Sequence, residues 1–419
     1  MQGKELYGWL IGLAFTLVGC QSDSVQPEAE AVDLRQLSVE EEELVSSINS
    51  FAFDLMRDLT EHRPQDNVFF SPYSINLALS MTLNGANTTT LRNLHKGLDH
   101  DVISPSEINK AYSQLTPFLQ QLDRQVDFTL ATGLWHDRRL HAEPLSCDIM
   151  SAYYGANVRD LAFGRRKSPS IINKWVQEQT QDHIVGLVDH LHPDASMYVT
   201  SAVHFAGQWA VPFQHTDTGP GVFYLPDGTT TTADMMVAPR AEYHFYQDQQ
   251  KTIIDIPYGN QQYSMTLVMP QEQDSLANLV RQLNAPTLQQ YLSQMDTLNS
   301  SLYLPKFSIE YQASLKPVLS RLGMGVTFSD SADFSRLFVD PVGPVPLYDV
   351  LHKAVLSVDE TGTKAVTSTV TQASGTSSRE SFHIDRSFLF FIRENHTGVI
   401  VFAGRLNHPN PAEAPPFTR

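Results

Sequence analysis

Ser357-Val-Asp-Glu-Thr-Gly-Thr-Lys-Ala-Val-Thr-Ser-Thr-Val-Thr-Gln-Ala-Ser-Gly-Thr376 decides the fold. It is a strand sequence standing where a loop belongs. From Thr363 to Thr376 there is no proline, aromatic or acidic residue, and threonine and valine abound. Their stiff, branched side chains favour the pleated backbone. Strand parity puts Thr363, Ala365, Thr367, Thr369, Thr371, Ala373 and Gly375 on one face, and every one of them is small. Such a face enters an existing core without overpacking it. The opposite face carries Lys364, Val366, Ser368, Val370, Gln372 and Ser374. Composition alone would also fit a Ser/Thr-rich linker; parity and the flanks favour a strand held in reserve.

Those flanks read as core. His352-Lys-Ala-Val-Leu-Ser-Val358 precedes the segment as a strand. After it, Phe388-Leu-Phe-Phe-Ile392, a turn at Asn395-His-Thr-Gly398 and Val399-Ile-Val-Phe-Ala403 read as a buried hairpin. The run His352–Thr363 resembles the hinge entry of the serpins. Asp385-Arg-Ser-Phe-Leu-Phe-Phe-Ile-Arg-Glu-Asn-His-Thr-Gly398 and Phe402-Ala-Gly-Arg-Leu-Asn407 resemble that family's closing signature. Asn67-Val-Phe-Phe-Ser-Pro-Tyr-Ser-Ile75, Ile172-Asn-Lys-Trp-Val176 and the strand Leu304-Pro-Lys-Phe307 are similar to three further family segments, in the right order.

The resemblance implies an α+β serpin fold. This is a single domain with about nine helices and three β-sheets, its reactive loop exposed between a strand of the central sheet and the C-terminal hairpin. The residues agree, with helical patterns in the first half and strands in the second. Leu44, Ile48, Phe51, Ala52, Leu55 and Leu59 recur at helical spacing, and Ser71-Pro72 reads as an N-cap followed by a first helical residue. Met197–Phe205, Thr252–Tyr258 and Tyr263–Met269 read as strands.

By resemblance, Glu360, Gly362, Thr363, Lys364, Ala365, Val366, Thr367 and Ser368 form the hinge. Opening of the sheet falls to Ser71, Ser74, Ser201, Trp209 and His352. Ser201 stands where the family usually has asparagine; Lys364 and Val366 replace the commoner Glu and Ala. The scissile bond follows from two counts, 362 + 14 = 376 and 387 − 11 = 376, which agree on Thr376–Ser377. A small branched residue there suits elastase-like or subtilisin-like pockets. Arg379 is a secondary site, whose cleavage would lengthen the inserting strand by about 10 Å.

The resemblance further implies a suicide-substrate inhibitor that forms a covalent complex with a serine (or cysteine) protease and is not an enzyme. Roughly a dozen new backbone hydrogen bonds would drive insertion by on the order of 10 kcal/mol. The competing reading is a non-inhibitory serpin acting as a binding or carrier protein. Such a hinge would carry proline, an acid or bulk on its inward face, and this one carries none.

Residues 1–20 read as a signal peptide whose Leu17-Val-Gly-Cys20 resembles a lipobox, with Cys20 lipidated and the protein exported to a bacterial outer membrane or cell surface, or otherwise secreted. Residues 21–44 read as an acidic tether, 45–410 as the serpin domain and 411–419 as a tail. Cys147 is the one other cysteine, so no intrachain disulfide is expected once Cys20 is lipidated. A net charge of −17 argues against nucleic acid. Arg165-Arg-Lys167 reads as a solvated turn. With only Lys110 and Arg124 across 108–124, no heparin-type cofactor is expected. No Gly-x-Ser-x-Gly or His-Glu-x-x-His motif marks a hydrolase. His190 and His192 beside Asp189 and Asp194 read as loop residues, so no metal and no cofactor are expected, and the protein is expected to be a monomer.

Overall fold

The computed structural model describes residues 34–272, 276–341, 343–362 and 381–409. In chain order the first elements are α1 (Val39–His62), β1 (Val68–Phe70), α2 (Pro72–Leu83), α3 (Thr88–Gly97), α4 (Pro105–Gln121), β2 (Val126–Asp137), α5 (Pro144–Tyr154), β3 (Asn157–Leu161) and α6 (Ser168–Gln179). Next come β4 (Met197–Gly207), β5 (Gly219–Tyr224), β6 (Thr230–Gln247), β7 (Lys251–Tyr258), β8 (Tyr263–Pro270), α7 (Leu276–Gln282) and α8 (Ala285–Ser293). The last are β9 (Asp296–Pro305), β10 (Phe307–Ser314), α9 (Lys316–Leu319), β11 (Leu347–Val358), β12 (Ser381–His383), β13 (Phe388–Glu394) and β14 (Ile400–Leu406).

Helix α1 begins earlier than the acidic run suggests. Ser38 caps it, its side chain accepting the Glu41 amide while Glu41 reaches back to the Ser38 amide 2.9 Å away. Glu41 is buried and paired with Arg35. Residues 39–44 are therefore helix, not tether, because acids in a first helical turn meet the positive end of its dipole. The predicted apolar stripe holds, and Leu44, Ile48, Phe51, Ala52, Leu55 and Leu59 are all buried.

Two hydrogen-bonded sheets form among the described residues, where three were expected. The central one has the order β10-β11-β4-β2-β3; the other runs β1-β14-β13-β8-β7-β6-β9-β12, with β5 beside β6. Strand β6 accounts for the difference. It pairs with β5 over Thr230–Met235, with β9 over Met235–Phe245 and with β7 over His244–Gln247. Register slips between Ala238 and Ala241, around Pro239, which has no amide proton for a ladder. One kinked strand thus joins what would otherwise be two small sheets. The Leu304–Phe307 stretch is likewise not one strand. Pro305 ends β9 in the larger sheet, Phe307 opens β10 in the central one, and Lys306 sits at the crossing.

The central sheet is buried on both faces. On the front lie α6 and the crossing segment 180–196, whose Ile184, Leu187, Val188 and Leu191 pack with Trp135, Tyr198 and Ala202. On the back, Phe128 of β2 and Phe205 of β4 meet Phe402 of β14 edge-on, and α2 is buried along its whole length. The β13–β14 hairpin closes through Gly398 at φ +74°, a conformation glycine adopts without strain. Arg165, Arg166 and Lys167 are exposed in a turn before α6, as expected.

Candidate functional site

The central sheet has one parallel seam between inner strands. Strands β11 and β4 run parallel and are direct neighbours, paired from Leu347↔Met197 to Val355↔His204, so no further strand lies between them. Every other neighbouring pair in this sheet is antiparallel except β2 with edge strand β3. The chain leaves β11 at Val358, and the described residues stop at Gly362, on the rim of the seam. Thr363, Lys364, Ala365, Val366, Thr367, Ser368, Thr376, Ser377 and Arg379 lie outside the described residues, as does Cys20.

Beneath the seam, Ser71, Ser74, Ser201 and His352 come together. His352 and Ser201 stand opposite each other across β11 and β4. The α2 N-terminus lies below, where the Ser74 amide donates to Ser71 Oγ at 3.0 Å, the cap predicted from Ser71-Pro72. The Ser71 amide donates to His352 Nε2 at 3.2 Å. A backbone amide only donates, so Nε2 carries the lone pair and Nδ1 carries the proton, which it gives to Ser201 Oγ at 3.1 Å. Ser201 also bonds Ser74 Oγ, and Ser71 Oγ donates to the Val401 carbonyl at 2.7 Å. Burial pushes the His352 imidazole down to about 3, so it is neutral. The short Ser201 hydroxyl reaches both partners despite replacing an amide.

At the rim, the chain after β11 is tied to the chain after β4. The Trp209 amide donates to the Thr361 carbonyl at 3.0 Å, its indole Nε1 to the Asp359 carbonyl at 2.9 Å, and the Phe213 amide to the Glu360 carbonyl at 2.8 Å. Trp209 stacks on Tyr258, ring centroids 4.3 Å apart. Gly362 bridges to Gln208 at φ +150°, and a Cβ there would lie 2.0 Å from the Gly207 carbonyl oxygen. Only glycine fits. The Glu360 side chain is buried and accepts from Lys306 Nζ at 2.9 Å and Thr218 Oγ1 at 3.0 Å. Burial raises its carboxyl, but the hydrogen bonds and the Lys306 charge outweigh this and leave it below the ordinary value.

Two further contacts were not legible in the sequence. Buried Lys353 on β11 donates to the Val185 and Gly186 carbonyls of segment 180–196, at 2.7 and 3.0 Å, and pairs with Glu310 at 2.6 Å. Gln312 of β10 reaches the Leu187 carbonyl at 3.0 Å. Lys306 falls in the Leu304–Phe307 motif, and nothing near it in sequence marks Glu360, 54 residues on, as its partner. Asp189, His190, His192 and Asp194 are exposed, as predicted.

A sequence model described as Serpin (serine protease inhibitor) matches residues 46–409. Iripin-5 from the tick Ixodes ricinus is 31% identical over 378 residues, covering 88% of this chain and 95% of the tick protein. Among solved structures, human thyroxine-binding globulin in complex with thyroxine superposes with a TM-score of 0.82 at 27% identity, over 89% of this chain and 100% of that one. A thermophilic serpin, Tengpin, in its native state gives 0.80 at 27% identity, over 90% and 96%. Seam, ring and rim thus sit in a molecule whose sequence and architecture agree, and the chain belongs to the serpin family.

Proposed function

We propose that this serpin is a suicide-substrate inhibitor of serine proteases, with an elastase-like or subtilisin-like target. The attacking serine Oγ bonds to the Thr376 carbonyl carbon, the Thr376–Ser377 bond breaks, and the Ser377 amine leaves with the target's proton. The freed segment then enters the seam as a strand antiparallel to both β11 and β4 and carries the acyl-enzyme with it. Distortion that removes a few kcal/mol of oxyanion stabilisation stalls hydrolysis of the ester.

The observation that carries this reading is the seam itself. Two parallel strands are joined directly over a ring of small hydroxyls and one neutral imidazole, and a strand sequence with one all-small face follows their rim. The likeness to thyroxine-binding globulin keeps a carrier role in view, since that protein is a serpin-fold structure complexed with thyroxine. The inward face of 363–375 argues for inhibition instead. Anchoring through Cys20 after export, at a bacterial outer membrane or cell surface, is part of the same proposal and rests on Leu17-Val-Gly-Cys20.

Incubation with elastase-, subtilisin- and trypsin-like enzymes, followed by denaturing gels and sequencing of the released peptide, tests the reading. A covalent band with a peptide starting at Ser377 supports it. Turnover of all three without an adduct rejects it.

A further inference from the structure

Three side chains from separate elements converge on the front of the central sheet. Asp127 lies on β2 and His204 on β4. Thr129 pairs with His204 and Asp127 with Ala206, so Asp127 is a diagonal neighbour of His204 on the same face. His183 comes from segment 180–196, which crosses that face. One ligand atom from each lies within 4.8 Å of the other two, and the two imidazoles are stacked with centroids 3.9 Å apart.

We propose that Asp127, His183 and His204 bind a divalent transition-metal ion of the zinc class, and that this ion pins segment 180–196 to the β2–β4 half of the sheet. Two imidazoles and one carboxylate are donors for zinc, cobalt or nickel and not for calcium or magnesium, which take oxygen. The fourth position is left to water. Tetrahedral bonds of about 2.1 Å set donor atoms about 3.4 Å apart, so the groups close in by up to about 1.4 Å and the two imidazoles, now 15° from parallel, tilt so that their ring nitrogens face one point.

The surroundings already hold the Asp127 carboxylate and the backbone that carries His183. Asp127 Oδ1 accepts the Thr129 hydroxyl at 2.7 Å, which fixes the carboxylate plane and leaves Oδ2 for an ion. The His183 amide donates to the Thr180 carbonyl at 2.9 Å and the Ile184 amide to Thr180 Oγ1 at 3.1 Å, so the backbone carrying the imidazole is held on both sides. His204 is only 7% exposed.

The position gives the site a consequence. Within five residues the crossing segment touches both sides of the seam: His183 lies against β4, while Val185, Gly186 and Leu187 are bonded to Lys353 of β11 and Gln312 of β10. Admitting a strand moves β4 and β11 apart by about 4.8 Å. The segment must then travel with one half and release the other. Three backbone carbonyls hold the segment to β11 and β10, so it leaves with that half, and an ion bound on β4 must first be released; this slows opening by up to about 100-fold with the metal at 100 times its dissociation constant. This consequence rests on the insertion reading above; the site does not.

The test uses the full chain, stripped of metal by chelator and titrated with cobalt(II). One equivalent is expected to give the visible absorption of tetrahedral cobalt with N/O ligands, displaced by zinc, and weakened at least tenfold in His183→Ala and His204→Gln. No band in the wild type, or the same band in His183→Ala, overturns the site. A synthetic peptide with the sequence of residues 363–376 then reports opening, followed by native gel. Zinc is expected to slow its uptake at least tenfold in the wild type and not in His183→Ala. Equal rates with and without zinc, in a chain that binds cobalt, overturn the pinning. No uptake under any condition counts against insertion itself and leaves the cobalt result to judge the site.

Discussion

Cutting the loop at Thr376–Ser377 should raise the melting temperature, and the seam sets the size of the rise. Eight residue pairs join β11 to β4. A parallel ladder carries about one hydrogen bond per pair, so opening breaks about eight and an inserted strand makes about sixteen. The net gain of about eight, at 0.5–1.5 kcal/mol each, is roughly 4–12 kcal/mol. For 419 residues the unfolding entropy is roughly 0.9 kcal/mol per degree. The cleaved protein should therefore melt about 5–14 °C above the intact one, by calorimetry or circular dichroism. The control is Thr363→Arg, which places a long cation on the inward face at the first inserting position. That variant should be cut equally fast, yet gain at most a degree or two and trap no protease. A cleaved wild type that melts within about 2 °C of the intact protein refutes the stored drive, and so does a Thr363→Arg chain that gains as much as wild type.

Burial holds His352 and His100 both down to about 3. The unfolded chain takes up these protons below about pH 6.5 and the native state does not, so each histidine removes about 1.4 kcal/mol of stability per pH unit between about 6.5 and about 3. Urea midpoints should fall from pH 7 to pH 5, and His352→Gln should lower that slope by about one proton; an unchanged slope removes His352 from the account. Glu360→Ala leaves Lys306 and Thr218 without their buried partner and should lower the native melting point by about 1–3 °C, from roughly 1–3 kcal/mol, while speeding uptake of the 363–376 peptide. Unchanged melting and uptake would show that the rim does not hold the seam. Gly362→Ala sets a methyl against the Gly207 carbonyl and should destabilise the intact form by roughly 1–3 kcal/mol, with little effect once the loop has been cut and drawn away.

How much of this was legible depends on the range of the interaction. The Ser71-Pro72 cap and the buried hairpin are local patterns, read directly from neighbouring residues, whereas the parity of 363–375 lies outside the described residues. Ser74, Ser201, Trp209 and His352 came only through the family resemblance, because nothing in their spacing says that β11 and β4 are adjacent. Lys353 and Lys306 were invisible for the same reason. A lysine reads as surface until its partners are known, and theirs are backbone carbonyls 167 and 168 residues away and a carboxylate 54 residues away. The early start of α1 is hidden for a different cause. A run of acids lowers mean hydropathy, and a first helical turn needs acids in the same place.

The seam is held by polar contacts where an apolar seam would bind more uniformly, and the reason lies in what must replace them. Apolar packing between β11 and β4 would be lost as the strands part and regained only when the new strand is fully seated, which gives a high barrier with no intermediate footing. Hydroxyls and an imidazole exchange partners one at a time, so each bond broken as the sheet opens can be replaced before the next is lost. The locks stand at two levels: Trp209 and Glu360 at the rim, and further down Lys353 against the crossing segment on one face with His352 and Ser201 beside it on the other. On the proposed mechanism, a strand entering at Gly362 meets the rim first. Its early residues therefore decide whether opening continues, so bulk at Thr363 should stop insertion outright, while the same bulk at Ala373 should let the strand start and stall. Comparing the Thr363→Arg and Ala373→Arg chains by limited proteolysis after loop cleavage separates the two cases. Protection of the 363–370 stretch in Ala373→Arg, but not in Thr363→Arg, is the result required, and equal exposure in both would show that opening does not proceed from the rim.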